Sequence, residues 1–516
     1  MKQEKNMGRN TMKKEKKQYP EDFRTIFGFS TMTWSVAAST VFITSFFMLY
    51  LTDYSGIDAS VGQVGFAATF GTILLLIARV VDIIDDPMQA LIIDNAKEGR
   101  LGKYRKFAFA NVFLVTVSMI CIFSIPEIVK SNPVLLCIWV GFFYLMYEMG
   151  GAFNTSMPLL QKTTYDIKLR TKISQRMRIW LIVILVPVYF YITLVTAVDQ
   201  YVDNIGKSFS LVSTVMLLIF GVFSFTGVLC LREKPDTTPG NGEGSKEKLK
   251  LKEIGKMFIQ NKPLLVHTGA MFLSDMVFNL GTVISVYFLK WYYAADLATG
   301  AVDAVKYAGI YGLFALTGLL PNFIAPFFAG KLVKKAGSYA RATSFCLLLG
   351  VAVNAVKAIL FFTGILKASP YIFILLNLLG GLALGTAVIP QTLLWAEGAD
   401  YAEYKTGKKM SAIVNSVNSV LGKAQSALST VLAGSVLIAV GYSVNNETGN
   451  YAGNIAELPR MISGFGIFLT IVPVVVMLAA YLLYRFLYPI TPEMQKEMVE
   501  ELAARREMEG GPAASE

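Results

Sequence analysis

Histidine, cysteine and charge are all scarce in this chain. Its 516 residues include one histidine, His267, and four cysteines, Cys121, Cys137, Cys230 and Cys346, while charged residues make up 16%. An ordinary soluble domain carries about 25%. A lone imidazole excludes a histidine-rich zinc site and leaves at most one histidine base for any nucleophile; His267 is expected as a satisfied residue near a membrane interface. The cysteines sit in apolar runs with no C-x-x-C spacing, so they read as small core hydrophobes. A phosphate-binding loop is missing too, because Gly206-Lys207-Ser208 has Tyr201 where the leading glycine belongs. An ATP-driven enzyme is thereby excluded and no cofactor is expected. Any transport must draw on an ion gradient.

Apolar sequence is what the chain has in plenty. Hydrophobic residues make up 54% and the mean hydropathy is +0.52. A helix needs about 20 apolar residues to cross about 30 Å of hydrocarbon, and twelve stretches meet that requirement. They begin near Phe29, Val61, Phe107, Val134, Arg178, Phe209, Leu264, Ala308, Thr343, Tyr371, Ala412 and Ile462. The expected fold class is an all-α membrane protein, a monomer whose surroundings are the lipid bilayer of the cell membrane.

The formal charge of +11 would point to nucleic acid in a soluble chain, but its placement is a topology signal and no nucleic-acid partner is expected. The loop after the second stretch carries Lys97, Arg100, Lys103, Arg105 and Lys106, and the loop after the fourth carries Lys162, Lys168, Arg170, Lys172, Arg176 and Arg178. The alternate loops hold one basic residue each, Lys130, Lys207, Lys306, Lys367 and Arg460, with Lys290 at the edge of the seventh stretch and none from Thr52 to Ser60. Basic loops stay inside. Both termini are therefore expected in the cytoplasm.

The longest interruption, residues 232–262, contains Pro239-Gly240-Asn241-Gly242-Glu243-Gly244-Ser245 and divides the spans six and six. It reads as a linker between two bundles. The expected organisation is a basic tail at 1–24, a six-helix bundle at 25–231, the linker at 232–262, a second six-helix bundle at 263–488 and a cytoplasmic tail at 489–516. A basic turn follows span two at Gly102-Lys103-Tyr104-Arg105-Lys106 and another follows span eight at Gly330-Lys331-Leu332-Val333-Lys334-Lys335, as a duplicated unit would produce.

The sharpest local feature is Arg79-Val80-Val81-Asp82-Ile83-Ile84-Asp85-Asp86-Pro87 in the inner half of span two. At about 100° per residue, Arg79, Asp82 and Asp86 fall at about 0°, 300° and 340°, one face, with Asp85 flanking it at about 240°. Each ionised group deep in a membrane costs roughly 2.5 to 3.5 kcal/mol, so four cost about 10. An ion-paired structural cluster near the headgroups is one way to meet that cost. The other is a site for a hard monovalent cation, Na⁺ held by carboxylate oxygens or H⁺ held by a raised carboxyl pKa.

Span eleven offers the opposite charge. Lys423 shares one helical stripe with Ser416, Ser419, Ser426 and Thr430, and such a stripe must face a neighbouring helix or a water-filled cavity. Asp275, Asn279 and Thr282 repeat at i, i+4, i+7 on span seven, and Glu148 with Thr155 marks a similar face on span four. Lys357 in span nine can snorkel to the surface.

These residues resemble the glycoside-pentoside-hexuronide:cation symporter family, within the major facilitator superfamily and typified by melibiose permease. The matching positions are Arg79-x-x-Asp82-x-x-x-Asp86-Pro87, Asp94-Asn95, Gly102-Lys103-Tyr104-Arg105, and Ala399-Asp400-Tyr401-Ala402-Glu403-Tyr404-Lys405-Thr406-Gly407 before span eleven. The resemblance covers about residues 27–488 and implies the major facilitator fold. It also implies symport of a sugar or glycoside with Na⁺ or H⁺. It assigns the cation carboxylates to Asp82 and Asp86, the span-eleven lysine to Lys423, the intervening position to Asp85 and the span-four hydroxyl to Tyr147, with Arg79 beside them as a coupling residue. The family's span-one and span-four sugar carboxylates fall on Ala37 and Gly150 and the aromatic partner on Asn154, so the galactoside clamp is missing. Its span-five arginine falls on Arg176. Arg176, Asn154, Glu148, Ser419 and Asp275 are thus the candidates to line the substrate path. A lysolipid or other amphiphile carrier of the same fold, and a membrane receptor or sensor without net flux, are the alternative expectations.

Overall fold

The computed structural model describes residues 23–63, 65–163, 167–233, 259–407, 411–445 and 448–509. Residues 1–22 of the basic N-terminal tail and residues 234–258 of the linker lie outside them. Among the described residues there is no strand, and β pairing is confined to three isolated bridges in loops.

Each of the twelve apolar stretches is helical. The first, Phe23–Val61, is segmented; Phe66–Asp94, Arg105–Phe123, Pro133–Ala152, Ile167–Tyr189, Ile205–Cys230, Lys262–Tyr293, Ala304–Ala336, Tyr339–Phe362, Pro370–Thr406, Ser411–Ala439 and Leu458–Leu482 follow. Among the described residues nine helices are long and apolar enough to cross a membrane. The pair Ile179–Tyr189 and Tyr191–Val202, bent by 46°, makes a tenth if counted as one span. Beyond them, Pro492–Glu509 forms a further helix, with Thr491 accepting the Met494 N–H and Pro492 at its start.

Residue contacts group the chain into two compact units. One comprises Met1–Ile43, Val80–Val188 and Lys207–Gly240; the other comprises Thr44–Arg79, Tyr189–Gly206 and Asn241–Glu516. These are contact groupings, and they cut across the first, second and fifth spans.

In the first unit the first span breaks between Phe23–Thr31 and Trp34–Val41, and a neighbouring side chain occupies the break. Ser224 donates to the Thr31 carbonyl at 3.0 Å and accepts the Ser35 N–H at 2.8 Å, which satisfies backbone groups that the interrupted helix leaves open. The two helices approach this closely because Gly227 faces Thr31, where an added Cβ would clash with the threonine hydroxyl. Phe29, Met32, Val112, Leu159, Ile173 and Val228 form the buried cluster at this crossing.

The basic turn after span two has a structural partner 130 residues away. The Glu233 carboxylate accepts the backbone N–H groups of Lys103, Tyr104 and Arg105 at 2.8, 2.8 and 2.6 Å, capping the start of the Arg105–Phe123 helix where donors are open and negative charge is favoured. Gly102 adopts φ +88°, and a Cβ there would meet Glu233 at 2.5 Å. Only glycine fits both conditions.

The second unit is built on the Lys262–Tyr293, Tyr339–Phe362 and Leu458–Leu482 helices, whose Ala270, Val277, Leu347, Met477 and Ala480 form one buried cluster. The tenth-span helix crosses the eighth at Gly381 and Gly385, against Pro321 and Ala325. Lys357 does not snorkel: it is buried, with its ammonium donating to Asn354 at 3.1 Å and Asn377 at 2.8 Å. His267 is fully buried and shares a 2.7 Å hydrogen bond between Nδ1 and the Tyr484 hydroxyl. Of the cysteines only Cys346 is buried; the other three are half-exposed, and all four are free.

Candidate functional site

The second-span helix, Phe66–Asp94, starts under a cap: Asp58 accepts the Gly65 and Ala67 N–H groups at 2.9 and 2.6 Å. It then runs unbroken through the acidic motif, so Arg79, Asp82, Asp85 and Asp86 all stand on one continuous helix. The side chains of Asp82 and Asp86 lie outside the described residues, as do those of Lys423 and Ser419 on the eleventh-span helix. Arg79 is half-buried.

Asp85 is half-buried and accepts a 2.5 Å hydrogen bond from the Gln89 amide. The same Gln89 nitrogen donates to the Met149 carbonyl at 3.0 Å. Gln89 is itself buried and ties this face of the acidic helix to the fourth-span helix, Pro133–Ala152. Tyr147 and Glu148, both half-buried, flank the bonded Met149 in that helix. Among the described residues, no three His, Cys, Asp or Glu side chains gather closely enough to hold a metal ion.

Asn154, an expected substrate residue, and Ala37, where the family's span-one carboxylate is missing, line a cavity of about 260 Å³ in the first unit together with Met32, Thr33, Asn111 and Leu181. Three of its polar side chains bond to neighbouring protein groups. The Asn111 amide donates to the Gly150 carbonyl at 2.7 Å, the Thr155 hydroxyl donates to the Tyr104 carbonyl at 3.1 Å, and the Asn154 oxygen accepts the Ser156 N–H and hydroxyl at 3.1 and 2.8 Å. Arg176 is exposed on the fifth-span helix. Asp275 is half-buried on the seventh-span helix, with Ser274 donating to it at 3.4 Å. Beside it the eleventh-span helix meets the seventh through Gln425, which donates to the Met271 carbonyl at 2.8 Å, and Ser429, which donates to the Met276 carbonyl at 3.2 Å.

Among the described residues the most completely buried charges are Asp53 and Lys290, which were not among the expected site residues. Asp53 and Lys290, 0% and 2% exposed, form an ion pair at 2.6 Å between the first and seventh spans. The Tyr442 hydroxyl lies 2.9 and 3.0 Å from the two Asp53 oxygens, Thr52 donates to Asp53 at 2.7 Å, and Trp291 donates to the Tyr442 oxygen at 3.2 Å. The Lys290 ammonium lies 5.0 Å from the centre of the Trp291 ring, a cation–π distance. Asp53 stands in a π-helical segment, Tyr50–Tyr54. The signal was a single charge set in each of two aromatic runs, Tyr50-Leu51-Thr52-Asp53-Tyr54 and Tyr287-Phe288-Leu289-Lys290-Trp291-Tyr292-Tyr293. In the same unit the second-span helix meets the eleventh where Gly434 faces Thr72, and Thr193 donates to the Ala308 carbonyl at 3.0 Å.

A chain of apolar helices with ionised groups inside it matches known transporters over nearly its whole length. Residues 27–492 match the profile of the family described as MFS/sugar transport protein. The chain belongs to that family. It is 25% identical over 466 residues to the uncharacterized symporter YjmB of Bacillus subtilis (strain 168), covering 89% of this chain and 90% of that protein. It is 23% identical over 448 residues to the isoprimeverose transporter of Lactiplantibacillus pentosus, covering 86% of each. Among solved structures it resembles a bacterial homologue of the human lysosomal transporter Spinster in an inward-facing, unoccupied conformation. The TM-score is 0.59 at 13% identity, over 93% of this chain and 98% of that one, a likeness of fold. The resemblance to the glycoside-pentoside-hexuronide:cation symporters is thereby supported. The chain is a multi-pass sugar transporter of the cell membrane with the major facilitator fold, not an enzyme, and the receptor alternative finds no support.

Proposed function

We propose that the protein is a secondary active symporter that couples inward flow of Na⁺ or H⁺ to uptake of a glycoside, oligosaccharide or hexuronide. It crosses the membrane twelve times with both termini inside. Asp82 and Asp86 bind the cation, Asp85 and Tyr147 stand beside them, and Lys423 and Arg79 are the coupling cations. Arg176, Asn154, Glu148, Asp275 and Ser419 line the substrate path. The observation that carries this reading is the Asp85–Gln89–Met149 bridge, which turns one side of the acidic helix towards protein and gives Asp85 a neutral amide as partner. A neutral donor steadies a carboxylate without cancelling its charge, so an inorganic cation remains useful there.

Alternating access supplies the role for the Asp53–Lys290 pair. It closes the ends expected to face outside, and it must separate and hydrate for sugar to enter. The absence of the span-one and span-four carboxylates at Ala37 and Gly150 favours a substrate other than a galactoside. Asp82→Asn or Asp86→Asn in proteoliposomes tests the assignment. Gradient-driven accumulation is expected to fall at least about tenfold while sugar exchange persists; normal accumulation in both variants removes these aspartates from the cation site.

A further inference from the structure

A cavity of about 390 Å³ opens where the ninth and twelfth spans meet the final helix. Arg341 lines it from the first turn of the Tyr339–Phe362 helix and Arg485 from the π-helical segment Leu483–Leu487 that follows span twelve, together with Tyr481 and Tyr488, and with Phe345 and Leu348 along one wall. Both arginines are exposed. Glu493 is within electrostatic reach of Arg341. Its carboxyl is held below the usual range first by its own backbone N–H and the Thr491 hydroxyl, and after them by Arg341 and Lys496. That carboxylate is fully solvated, so water screens its pull on Arg341.

We propose that this cavity holds the phosphate group of an anionic phospholipid from the leaflet on the basic-loop side of the membrane. Two guanidinium groups on separate helices suit a phosphate oxyanion, which accepts paired N–H donors. The tyrosines add an amphipathic rim of the kind found at headgroup depth. Phosphate alone is recognised by the same donors, but the wall of the cavity continues as an apolar track. Phe345, Leu348, Val356 and Ile359 are 55%, 43%, 45% and 62% exposed and, counting from Arg341, follow at four, seven, fifteen and eighteen residues. Val356 lies about 22 Å along the helix from Arg341, past the middle of a hydrocarbon core of about 30 Å. A headgroup seated at the arginines therefore has apolar surface beneath it for the full length of its chains, and a free anion has no use for that track. The basic residues Lys331, Lys334 and Lys335 just before span nine raise the local concentration of anionic lipid without choosing a position for it.

Nanodiscs containing phosphatidylglycerol and phosphatidylcholine test the assignment, with bound lipid counted by mass spectrometry of the washed full-length protein. The wild type is expected to retain phosphatidylglycerol over phosphatidylcholine. Affinity should fall about fivefold for Arg341→Gln or Arg485→Gln and about 25-fold for the pair. Arg341→Lys with Arg485→Lys should regain part of the loss, Arg460→Gln in the first turn of the twelfth-span helix should change nothing, and an unchanged melting temperature shows that each variant folds. Equal retention of the two lipids overturns the proposal, as does retention that the double glutamine variant leaves intact. Displacement of phosphatidylglycerol by millimolar inorganic phosphate overturns it as well and makes the cavity a free-anion site.

Discussion

Asp53 and Asp85 are both aspartates in long apolar helices, and they are held in opposite ways. Asp53 is sealed from solvent, neutralised by Lys290 at 2.6 Å and surrounded by hydroxyl and aromatic groups that engage both ions. Asp85 is half-buried and takes its hydrogen bond from an uncharged amide. A carboxylate with its own ammonium is finished as a structural unit, and its removal from water is offset by the partner only while both stay in place. A carboxylate held by an amide keeps its charge on offer. The first arrangement suits a contact that must be either wholly made or wholly broken, and the second suits a site that an ion enters and leaves.

That contrast is open to direct attack at its closed end first. Asp53→Asn or Lys290→Met alone strands one buried charge and should destabilise the closed arrangement by about 3 to 5 kcal/mol. The double variant should recover much of that loss, because removing both ions leaves none unpaired. A double-mutant cycle on melting temperature, paired with labelling of a cysteine placed near Tyr442 from outside the cell, reads both effects. If each single variant is as stable and as closed as the wild type, the pair is no lock.

Gln89→Leu sharpens the other side of the contrast. It removes the tie to Met149 and leaves Asp85 without its described donor, at about 1 to 3 kcal/mol. The cation concentration for half-maximal uptake should therefore shift, by about tenfold, with folding preserved. An unchanged cation dependence would make Gln89 a packing residue only.

The smallest effect is expected away from both regions. Gly102→Ala should lower stability by about 1 to 2 kcal/mol, since alanine must adopt φ +88° and meet the Glu233 carboxylate. The remaining folded protein should transport normally, which separates this motif residue from the coupling machinery. A loss of coupling at unchanged stability would place Gly102 in that machinery after all.

The helices were legible because lipid demands long apolar runs, and each run predicted is helical. What stayed hidden depends on pairs distant in sequence. Asp53 and Lys290 are 237 positions apart, and neither charge looks unusual at the end of its own span. The Gly102-Lys103-Tyr104-Arg105 motif was visible, but its carboxylate partner, Glu233, follows span six and nothing local announces the cap. The break in the first span is filled from the sixth by Ser224, which reads in sequence as one more serine in an apolar run. Gln89 was overlooked because it stands just past the acidic motif and carries no charge. The Pro492–Glu509 helix had a local signal, Thr491-Pro492-Glu493, that passed as ordinary tail sequence.

The most direct measurement is solute uptake by the wild-type protein in proteoliposomes, with a glycoside and uronide panel under separately imposed Na⁺ and H⁺ gradients. One of the two gradients is expected to drive at least one sugar above its equilibrium distribution. Equilibration without accumulation under either gradient, for every sugar that the protein moves, would contradict symport.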